Sequence, residues 1–378
     1  MELAKLHKLK DTIIVEFNGK VKALSSTVYG SGFKELTHVV FKTVDKNFND
    51  PNPKLYARKL VHELSLPLDS TAVFLTAVDV VREHVYRTIG DPIPIMVIAT
   101  IGLSNLTCIN GHRECKPSTI NILVVIGSDL TDNALVDLIG VVNSAKALAL
   151  SDIGLTCNLN KKAFATATDA VVVAGYPTGN PLLYGGPATT IGSMIAKLVH
   201  EIIFKEALKK INLNERFKHI FGLSPEELKN LCLKVYEYSP IPNIALDKIS
   251  KAIDNEISKI ILDPNIWSLA IAFRELECKG SIGAIPYLIK SEYMNDSPKI
   301  IADELLGMTL SIYINGWKGL FCYYWVERLK SKIKEIKSLP MFTDDLICSL
   351  IGAILSSCLL YTSPSPRDLS TSRMPSSA

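Results

Sequence analysis

The sequence changes character near its middle, and this change constrains the fold more than any other feature. The first half contains five short runs rich in Val, Ile and Thr, each bounded by turn-forming residues, which is the pattern of β-strands. These runs are TIIVEF (12–17), THVVFKTV (37–44), PIMVIATI (94–101), TINILVVIG (119–127) and DAVVVAG (169–175). No such run follows Phe217. We therefore expect an α/β N-terminal domain and an all-α C-terminal domain.

Three segments of the first half have helical periodicity. DSTAVFLTAVDVVREHVYRT (69–88) begins with an Asp69/Ser70 cap, and TDNALVDLIGVVNSAKALAL (131–150) begins at Thr131 or Asp132. The third segment, 188–210, is amphipathic and has basic residues at its C-terminal end, where the helix dipole favours them. Helices placed among strands in this way predict an α/β sheet domain.

The second half carries signals for helix starts and stops. Ser224 is followed by Pro225 and, three residues after the cap, by Glu227, which predicts a capping box. Asp263-Pro264 and Ser297-Pro298 repeat the pairing of a cap with a proline, and Asn315-Gly316 is typical of a helix stop.

The length of 378 residues favours two domains, because single domains commonly have about 100–200 residues. We place an α/β domain at 1–210 and a helical domain at 218–358, with the boundary in the charged stretch 205–222. The Ser/Pro-rich segment 359–378 predicts disorder. It also resembles a translated sequencing-adapter read-through, so we expect the helical domain to be cut off near Cys358.

Charge and hydropathy argue against two classes of partner, nucleic acid and membrane. The chain has 41 basic and 38 acidic residues, a net charge of +3, which gives no electrostatic case for nucleic acid. The apolar runs near 305–325 and 346–360 are short or interrupted, whereas a membrane-spanning helix needs about 20 apolar residues. We therefore expect no membrane span, and the oligomeric state stays open.

The eight cysteines are scattered, and none forms a C-x-x-C pair. The first residues, MELAKLHKLKDTIIVEF, lack the pattern of a signal peptide, so we expect a reduced, cytoplasmic protein. CINGHREC (108–115) leaves one alternative open, a zinc site through Cys108, His112 and Cys115. Its spacing is not that of a usual zinc finger, and the sequence offers no fourth ligand nearby.

Two acidic pairs lie in apolar helical segments: Asp303-Glu304 in 300–316 and Asp344-Asp345 in 343–355. Adjacent helical residues point about 100° apart, so the two members of a pair cannot both face solvent fully. Burying unpaired carboxylates is costly, and carboxylates from two helices suit Mg²⁺, which takes oxygen ligands and can activate water near a phosphate. The alternative is a solvated helix face or, for Asp344-Asp345, an acidic helix start.

Three stretches around these pairs resemble a known superfamily. GSIGAIPYL (280–288), SPKIIADELLGMTLSIYI (297–314) and LPMFTDDLICSLIGAIL (339–355) resemble the phosphatidylglycerophosphatase A superfamily. With LSPEELKNLCLKVY and LDPNIWSLAIAFRELE upstream, they resemble more closely its soluble archaeal branch, the α-ribazole-5′-phosphate phosphatases. This resemblance covers about residues 218–357 and implies a phosphomonoesterase that depends on Mg²⁺ or another divalent cation.

The resemblance also implies site residues. The metal-binding and catalytic acids would be Asp303, Glu304, Asp344 and Asp345, and Glu275 or Glu277 could join them. The family usually has an Asp followed by Lys-Pro between these motifs, whereas YYWVERLKSKI lacks the Pro and offers Glu327 and Lys330 as substrate-binding residues.

In the α/β half, polar residues cluster at the ends of predicted strands. Ligands of open α/β sheets gather beyond the C-terminal ends of strands, so Asp129, Asp132 and the loop 176–190 predict a binding site. Asp169 stands between two β-rich runs and is either buried and hydrogen-bonded or poised as a base. Alternatively, Asp129 and Asp132 only cap the helix that follows, and YGGPATT is an ordinary loop or an anion-binding helix entry.

Two other chemistries find little support here. The glycine spacing matches neither a Walker loop nor G-x-G-x-x-G, so nucleotide binding is not indicated. Ser25-Ser26 has no G-x-S-x-G elbow and no obvious His partner, which argues against a serine hydrolase.

The motifs of this half resemble the adenosylcobinamide amidohydrolase family over about residues 10–205. They are ALSST, TINILVV with LTDNALVDLI and SAKALAL, and ATATDAVVVA with YGGPATTIGSMI; Asn133 stands where the family usually has Gly. Such enzymes cleave the amide that joins the aminopropanol arm to the corrin ring, which yields adenosylcobyric acid. We expect Asp132 and Asp169 as acid/base candidates. The matched positions expected to contact substrate are Ser25, Ser26, Asn121, Thr168, Tyr184, Gly185 and Gly186.

Together the two resemblances predict a bifunctional hydrolase of coenzyme B12 salvage and assembly. Its substrates would be adenosylcobinamide and α-ribazole phosphate, and no cofactor is established for the N-terminal domain. Two alternatives stay open: a lipid phosphatase of the phosphatidylglycerophosphatase type, and a corrinoid-binding protein with a degenerate phosphatase domain. Glu327 and the missing Pro motivate the second alternative.

Overall fold

The computed structural model describes residues 2–109, 119–158 and 161–362. Its contacts divide the chain into two compact units. Unit 1 consists of Met1–Cys157 and Lys162–Ile211, and unit 2 consists of Asn158–Lys161 and Asn212–Ala378. Buried apolar residues form separate clusters in the two units.

The described strands lie in the first half of the chain. They are β1 (Ala4–Lys8), β2 (Thr12–Ser25), β3 (Gly32–Thr43), β4 (Thr71–Thr76), β5 (Val85–Ile89), β6 (Ile95–Ile101), β7 (Leu106–Thr107), β8 (Ile120–Ile126), β9 (Thr156–Asn158), β10 (Lys161–Lys162), β11 (Ala165–Thr166) and β12 (Ala170–Gly175). The helices of unit 1 are α1 (Pro53–Glu63), α2 (Val80–Glu83), α3 (Asp132–Ile153) and α4 (Thr190–Lys210). All five strands predicted from the sequence are present, as β2, β3, β6, β8 and β12.

Eight strands form one mixed sheet in the order β4-β3-β2-β12-β8-β6-β5, with β1 paired to β2. At its centre β12 runs parallel to β8 and antiparallel to β2. Alternate residues of β8 pack into two cores: Ile122 and Val124 belong to the one that includes α3 and α4, and Leu123 to the other. Burial on both faces explains why this strand reads as a continuous apolar run.

The long β2–β3 hairpin bends back over the face of the sheet that α3 and α4 leave free. Its register shifts between Glu16 and Val21, as at a β-bulge. As a result Asn121 Nδ2 on β8 donates to the Leu75 carbonyl oxygen on β4 at 3.3 Å, although three strands separate β4 from β8 in the sheet order. The bend encloses the second core of the unit.

The helix predicted over 69–88 is wrong. This segment forms β4, the short helix α2 and β5, and Asp79 rather than Asp69 caps a helix. Phe74 on β4 stacks on Phe41 of the parallel strand β3, with ring centroids 4.5 Å apart. Tertiary pairing of a β-branched and aromatic segment has therefore overridden its apparent helical periodicity.

Cys108 and Cys157 form a disulfide, so the prediction of a fully reduced chain is wrong at this pair. The bond also removes Cys108 from the zinc site left open by the sequence, and His112 and Cys115 lie outside the described residues. The cytoplasmic location stays a prediction.

In unit 2 the structure describes helices and no strand between residues 212 and 362, which confirms an all-α half. The helices are α5 (Leu213–Phe221), α6 (Pro225–Tyr236), α7 (Leu246–Leu262), α8 (Pro264–Ser281), α9 (Lys290–Met294), α10 (Ala302–Leu329), α11 (Lys334–Lys337) and α12 (Met341–Thr362). Disorder was predicted for 359–378, but residues 359–362 form the end of α12, so the prediction is wrong there. Residues 363–378 lie outside the described part of the chain.

Two of the three predicted helix starts are confirmed. Ser224 and Glu227 form a capping box at α6, and the Asp263 side chain caps α8. The start predicted at Ser297 is wrong, because α10 begins at Ala302. The Ser297 backbone N–H instead donates to the Glu292 carbonyl oxygen, which closes α9.

Helix α10 is a hairpin of two helical arms. Asn315 and Gly316 leave helical geometry, with φ of −144° and 58°, as the predicted stop requires. A Cβ on Gly307 would lie 2.9 Å from Tyr323 Oη, and one on Gly319 would lie 2.3 Å from the Ser311 carbonyl oxygen. Residues 16 positions apart therefore touch, so the arms are antiparallel and pack through small residues.

Two described helices, α3 and Met341–Cys358 of α12, are long and apolar enough to cross a membrane by length and composition. This is weak evidence, since core helices of soluble proteins pass the same test, and the α12 segment is wholly buried within the protein. The absence of a membrane span therefore stays a prediction.

A buried ion pair joins α3 to the start of β12. Lys146 Nζ donates to Asp169 Oδ2 at 2.7 Å, and the two side chains are only 5% and 8% exposed. Removing one member leaves an uncompensated charge in a medium of low dielectric constant, which typically costs about 3–5 kcal/mol.

We therefore predict that Lys146→Met or Asp169→Asn lowers the free energy of unfolding of unit 1 by about 3–5 kcal/mol. Urea denaturation followed by circular dichroism measures this loss. Lys20→Met is the matched control, since Lys20 and Glu35 form an exposed pair and the loss there should stay under about 1 kcal/mol. Equal losses at the two pairs would contradict the prediction.

Candidate functional site

Asp132 lies at the C-terminal edge of β8 and β12, at the first position of α3. Its carboxylate pairs with Lys22 Nζ at 2.9 Å, and its side chain is 70% exposed. Lys22 reaches this edge because β2 runs antiparallel to β12 and places Lys22 opposite Gly175. No motif marks Lys22, because its contact with Asp132 depends on strand pairing.

The loop 176–189 brings the predicted residues Tyr184, Gly185 and Gly186 to the same edge. Tyr184 is 65% exposed. A Cβ on Gly185 would lie 2.6 Å from the Ala134 carbonyl oxygen, and the Gly185 N–H donates to Asp137 Oδ2 at 3.1 Å. Gly185 is therefore required for close packing on α3, whereas Gly186 faces open space.

The other predicted residues of unit 1 lie near the N-terminal end of β12. Asp169 accepts hydrogen bonds from Lys146, from the Ile120 N–H at 2.9 Å and from the N–H and hydroxyl of Thr166. Its two oxygens are thus fully engaged, which matches the buried, hydrogen-bonded alternative left open by the sequence.

The hydroxyl groups near Asp169 have local partners. Ser25 Oγ lies 2.7 Å from Thr27 Oγ1, and Ser26 Oγ accepts from the Val171 N–H at 2.9 Å. Asn121 is buried and bonded to β4, while Thr168 is exposed. Ser25, Ser26 and Asn121 are therefore hydrogen-bonded within the fold.

The structure does not bring Asp132 and Asp169 together. Strand β12 lies between them, and its five residue steps span about 17 Å. A single amide group cannot contact both carboxylates, so at most one of them can act at the reacting atoms.

An open groove of about 820 Å³ lies between α3 and α4. Its apolar lining includes Val136 and Leu148, which are 53% and 56% exposed. Its polar lining consists of Asp137, Ser144, Asp152, Lys197, His200 and Glu201. Gly186 and Pro187 of the loop also line it. Mostly apolar clefts of about 300–1,000 Å³ with a few polar groups are typical ligand sites.

His200 and Asp152 form a polar pair across this groove. His200 Nε2 lies 2.8 Å from Asp152 Oδ2, and the imidazole stacks on Phe204 with ring centroids 5.8 Å apart. Sequence reasoning missed this pair, because 48 positions separate the two residues and neither stands in a motif.

In unit 2 the two acidic pairs converge, as expected. The α10 hairpin carries Asp303 and Glu304 on one arm and Glu327 on the other, and α12 carries Asp344 and Asp345. Asp303, Asp344 and Asp345 are 1%, 3% and 3% exposed. We name these five residues the acid cluster.

The pKa values of the three aspartates in the acid cluster are raised, first by burial and then by neighbouring acidic groups. Burial raises the pKa of Asp303, and the neighbouring Glu304 and the charge of Asp345 raise it further. Burial also raises the pKa of Asp345, and the charge of Glu327 adds to this. The Asp344 pKa is raised by burial despite the opposing effect of Lys330.

The acid cluster has more negative charge than its described cation can balance. Lys330 Nζ contacts Asp344 and lies 4.0 Å from Glu327 and 3.6 Å from Asp296. Three buried carboxylate oxygens have no hydrogen-bond partner: Asp303 Oδ2, Glu327 Oε1 and Asp344 Oδ1. Unpartnered buried carboxylate oxygens are the donors that a hard divalent cation prefers.

Neighbouring side chains hold the acid cluster in place. Tyr323 Oη donates to Asp345 Oδ1. Glu277, which the resemblance offered as a further acid, instead accepts from the Thr343 N–H at 2.9 Å, the Thr343 hydroxyl and Tyr293 Oη. Glu277 therefore anchors the start of α12.

The donor types and charge of the acid cluster fit a divalent cation. Among the described residues, however, no three Asp, Glu, His or Cys side chains stand in an arrangement that could already hold one. A bound cation would therefore require the carboxylates to reorient.

Comparison with known proteins identifies several relatives of this chain. An adenosylcobinamide amidohydrolase of Methanosarcina mazei is 28% identical over 206 residues, which cover 51% of this chain and 92% of that protein. An adenosylcobinamide amidohydrolase of Halobacterium salinarum is 33% identical over 147 residues, or 36% of this chain and 58% of that protein. An uncharacterized protein of Methanocaldococcus jannaschii is 24% identical over 225 residues, covering 53% and 86%.

Among solved structures, protein ypjQ from Bacillus subtilis matches 40% of this chain and 94% of its own chain, at 20% identity. Its TM-score of 0.32 is too low to carry an argument.

The family model for adenosylcobinamide amidohydrolase matches residues 1–215, more than half of the chain. This match spans the whole of the described sheet with α3 and α4. The chain therefore belongs to the adenosylcobinamide amidohydrolase family.

Proposed function

We propose that unit 1 hydrolyses the amide that joins aminopropanol to the corrin ring of adenosylcobinamide, which yields adenosylcobyric acid. The observation that carries this proposal is the family match over residues 1–215, which coincides with unit 1. This reaction would belong to cobamide salvage, as the family's substrate implies.

The α3–α4 groove is the surface of unit 1 that best suits the substrate. A corrin ring is broad and apolar at its centre, and its rim carries neutral amides. The exposed Val136 and Leu148 supply apolar contact, while Ser144, Lys197 and Glu201 supply donors and acceptors at the margin.

The acid/base roles of Asp132 and Asp169 stay predictions, and their surroundings differ. Asp132 lies one helical turn beyond Val136 at one end of the groove, and its carboxylate is exposed. The Asp169 side chain is buried, and each of its oxygens already accepts two hydrogen bonds. Asp132 is therefore the better placed of the two to meet a substrate.

We predict that the purified chain converts adenosylcobinamide to adenosylcobyric acid and aminopropanol, which chromatography separates from the substrate. A loss of about 100-fold or more in Asp132→Asn, without a change in melting temperature, would support a catalytic role for Asp132. An unchanged rate in that variant would exclude one. If the wild-type chain binds cobinamide but releases no aminopropanol, the amidohydrolase proposal is wrong.

The groove itself can be tested by filling it. Gly140 lines the groove on α3, and a Cβ there meets no atom within 4 Å. We predict that Gly140→Leu weakens cobinamide binding about 10-fold or more, while the melting temperature stays equal or rises because glycine disfavours helix interiors. Lys59→Leu, which adds an exposed leucine on α1, is the matched control and should bind normally. Unchanged binding in Gly140→Leu would place the corrin elsewhere.

The acid cluster favours a second activity. We propose that unit 2 is a metal-dependent phosphomonoesterase for α-ribazole 5′-phosphate, with Asp303, Glu304, Asp344 and Asp345 holding Mg²⁺ or another divalent cation. The buried carboxylate oxygens without partners support this assignment. When bound, the cation neutralises phosphate charge and lowers the pKa of a water molecule.

Three side chains in or beside the acid cluster would have different roles in this activity. Lys330, which contacts Asp344, would pair with the substrate phosphate. Glu327 lies within 4.0 Å of Lys330 and orients its ammonium group. Tyr323 keeps Asp345 directed toward the other acids.

We predict that MgCl₂ stabilises the chain, by about 2.7 kcal/mol at a concentration 100 times the Kd. Differential scanning calorimetry measures this effect. Asp303→Asn should abolish the stabilisation, whereas Asp254→Asn, at an exposed acid outside the acid cluster, should retain it.

Phosphate release from α-ribazole phosphate separates the alternatives for unit 2. Release that depends on Mg²⁺ supports the proposal, and preferential release from phosphatidylglycerophosphate favours a lipid phosphatase. Cobinamide binding with no Mg²⁺ effect and no release favours a degenerate domain.

A further inference from the structure

The His200–Asp152 pair joins the two helices that form the groove. His200 comes from α4 and Asp152 from α3, and both side chains line the groove. The Nε2–Oδ2 separation of 2.8 Å is that of a direct hydrogen bond. The groove therefore ends at an imidazole whose orientation a carboxylate fixes.

The pairing decides which ring nitrogen can accept a proton. A carboxylate acceptor holds the imidazole proton on Nε2, which leaves the lone pair on Nδ1. Stacking on Phe204, with an interplanar angle of 13°, restricts rotation of the ring. The His200 side chain is 27% exposed, so the ring is partly shielded and still accessible to water.

Other charged groups that face the groove suit this arrangement. Asp137 and Asp152 come from α3, and Lys197 and Glu201 from α4. The Lys197 ammonium is a cation in the same groove that can donate to a developing oxyanion.

Asp132 lacks these features. Its carboxylate is mostly solvated and already paired with Lys22, so its interactions are weakened by water. Along α3, Val136 and Asp152 are about 24 Å apart, so Asp132 and His200 mark opposite ends of the groove. One substrate amide can lie at only one of these ends.

We propose that His200 is the general base of the amidohydrolase and that Asp152 is its positioning residue, an inference that rests on the amidohydrolase activity proposed for unit 1. Nδ1 takes a proton from water, and the resulting hydroxide attacks the amide carbonyl carbon. As the C–N bond breaks, the imidazolium returns the proton to the departing aminopropanol nitrogen. The products are the corrin carboxylic acid and the free amine, and no redox step occurs.

The test uses the full chain with adenosylcobinamide, measuring aminopropanol release and, separately, cobinamide binding by its absorbance. His200→Ala should lower kcat by about 100-fold or more and leave cobinamide affinity nearly unchanged. Asp152→Asn should lower kcat as well, because an amide no longer fixes the imidazole tautomer. Added imidazole should restore part of the rate of His200→Gly and should leave the wild-type rate unchanged.

His62→Ala is the matched control, since His62 is an exposed histidine on α1. His200→Gln retains a side chain that can hydrogen-bond Asp152, so it separates a catalytic loss from a folding loss. A wild-type rate in His200→Ala overturns the inference and leaves the amidohydrolase proposal intact. A parallel loss of cobinamide binding and rate, without rescue by imidazole, has the same two consequences. A wild-type chain that releases no aminopropanol overturns both proposals.

Discussion

The parallel pairing of β8 with β12 is the constraint on which the rest of unit 1 depends. Each strand leads into a helix, α3 or α4, and both helices pack over the same core. Because the other face is enclosed by the bent β2–β3 hairpin, the helices have one side available. Two helices that share one side of a sheet leave a groove between them, and this groove holds Asp152 and His200.

Unit 2 differs from unit 1 because its acid cluster lies inside a helical core. The turn at Asn315-Gly316 folds α10 back so that the acids at its two ends meet those of α12. Small residues at the arm contact, Gly307 and Gly319, permit this approach. The result is a concentration of desolvated negative charge that only Lys330 offsets among the described residues, and such a site is stable as a cation site or when partly protonated.

The sequence predicted the features that depend on local pattern and missed those that depend on distant contacts. Strand runs, the caps at Ser224 and Asp263 and the break at Asn315-Gly316 are short-range signals, and the structure bears them out. The prediction of a helix over 69–88 was wrong because β4, within this segment, pairs with β3. The contacts of Asp132 with Lys22 and of His200 with Asp152 join residues far apart in the chain, so no spacing could reveal them.

The buried contact between Lys146 and Asp169 also limits how this sequence can change over time. A neutral residue at either position leaves the opposite charge unpaired at a site that is almost fully shielded from water. A substitution at only one of the two positions is therefore disfavoured. A substitution at one position becomes acceptable when the other position also changes. Within its lineage the two positions should behave as one inherited unit, linked across 23 residues of chain.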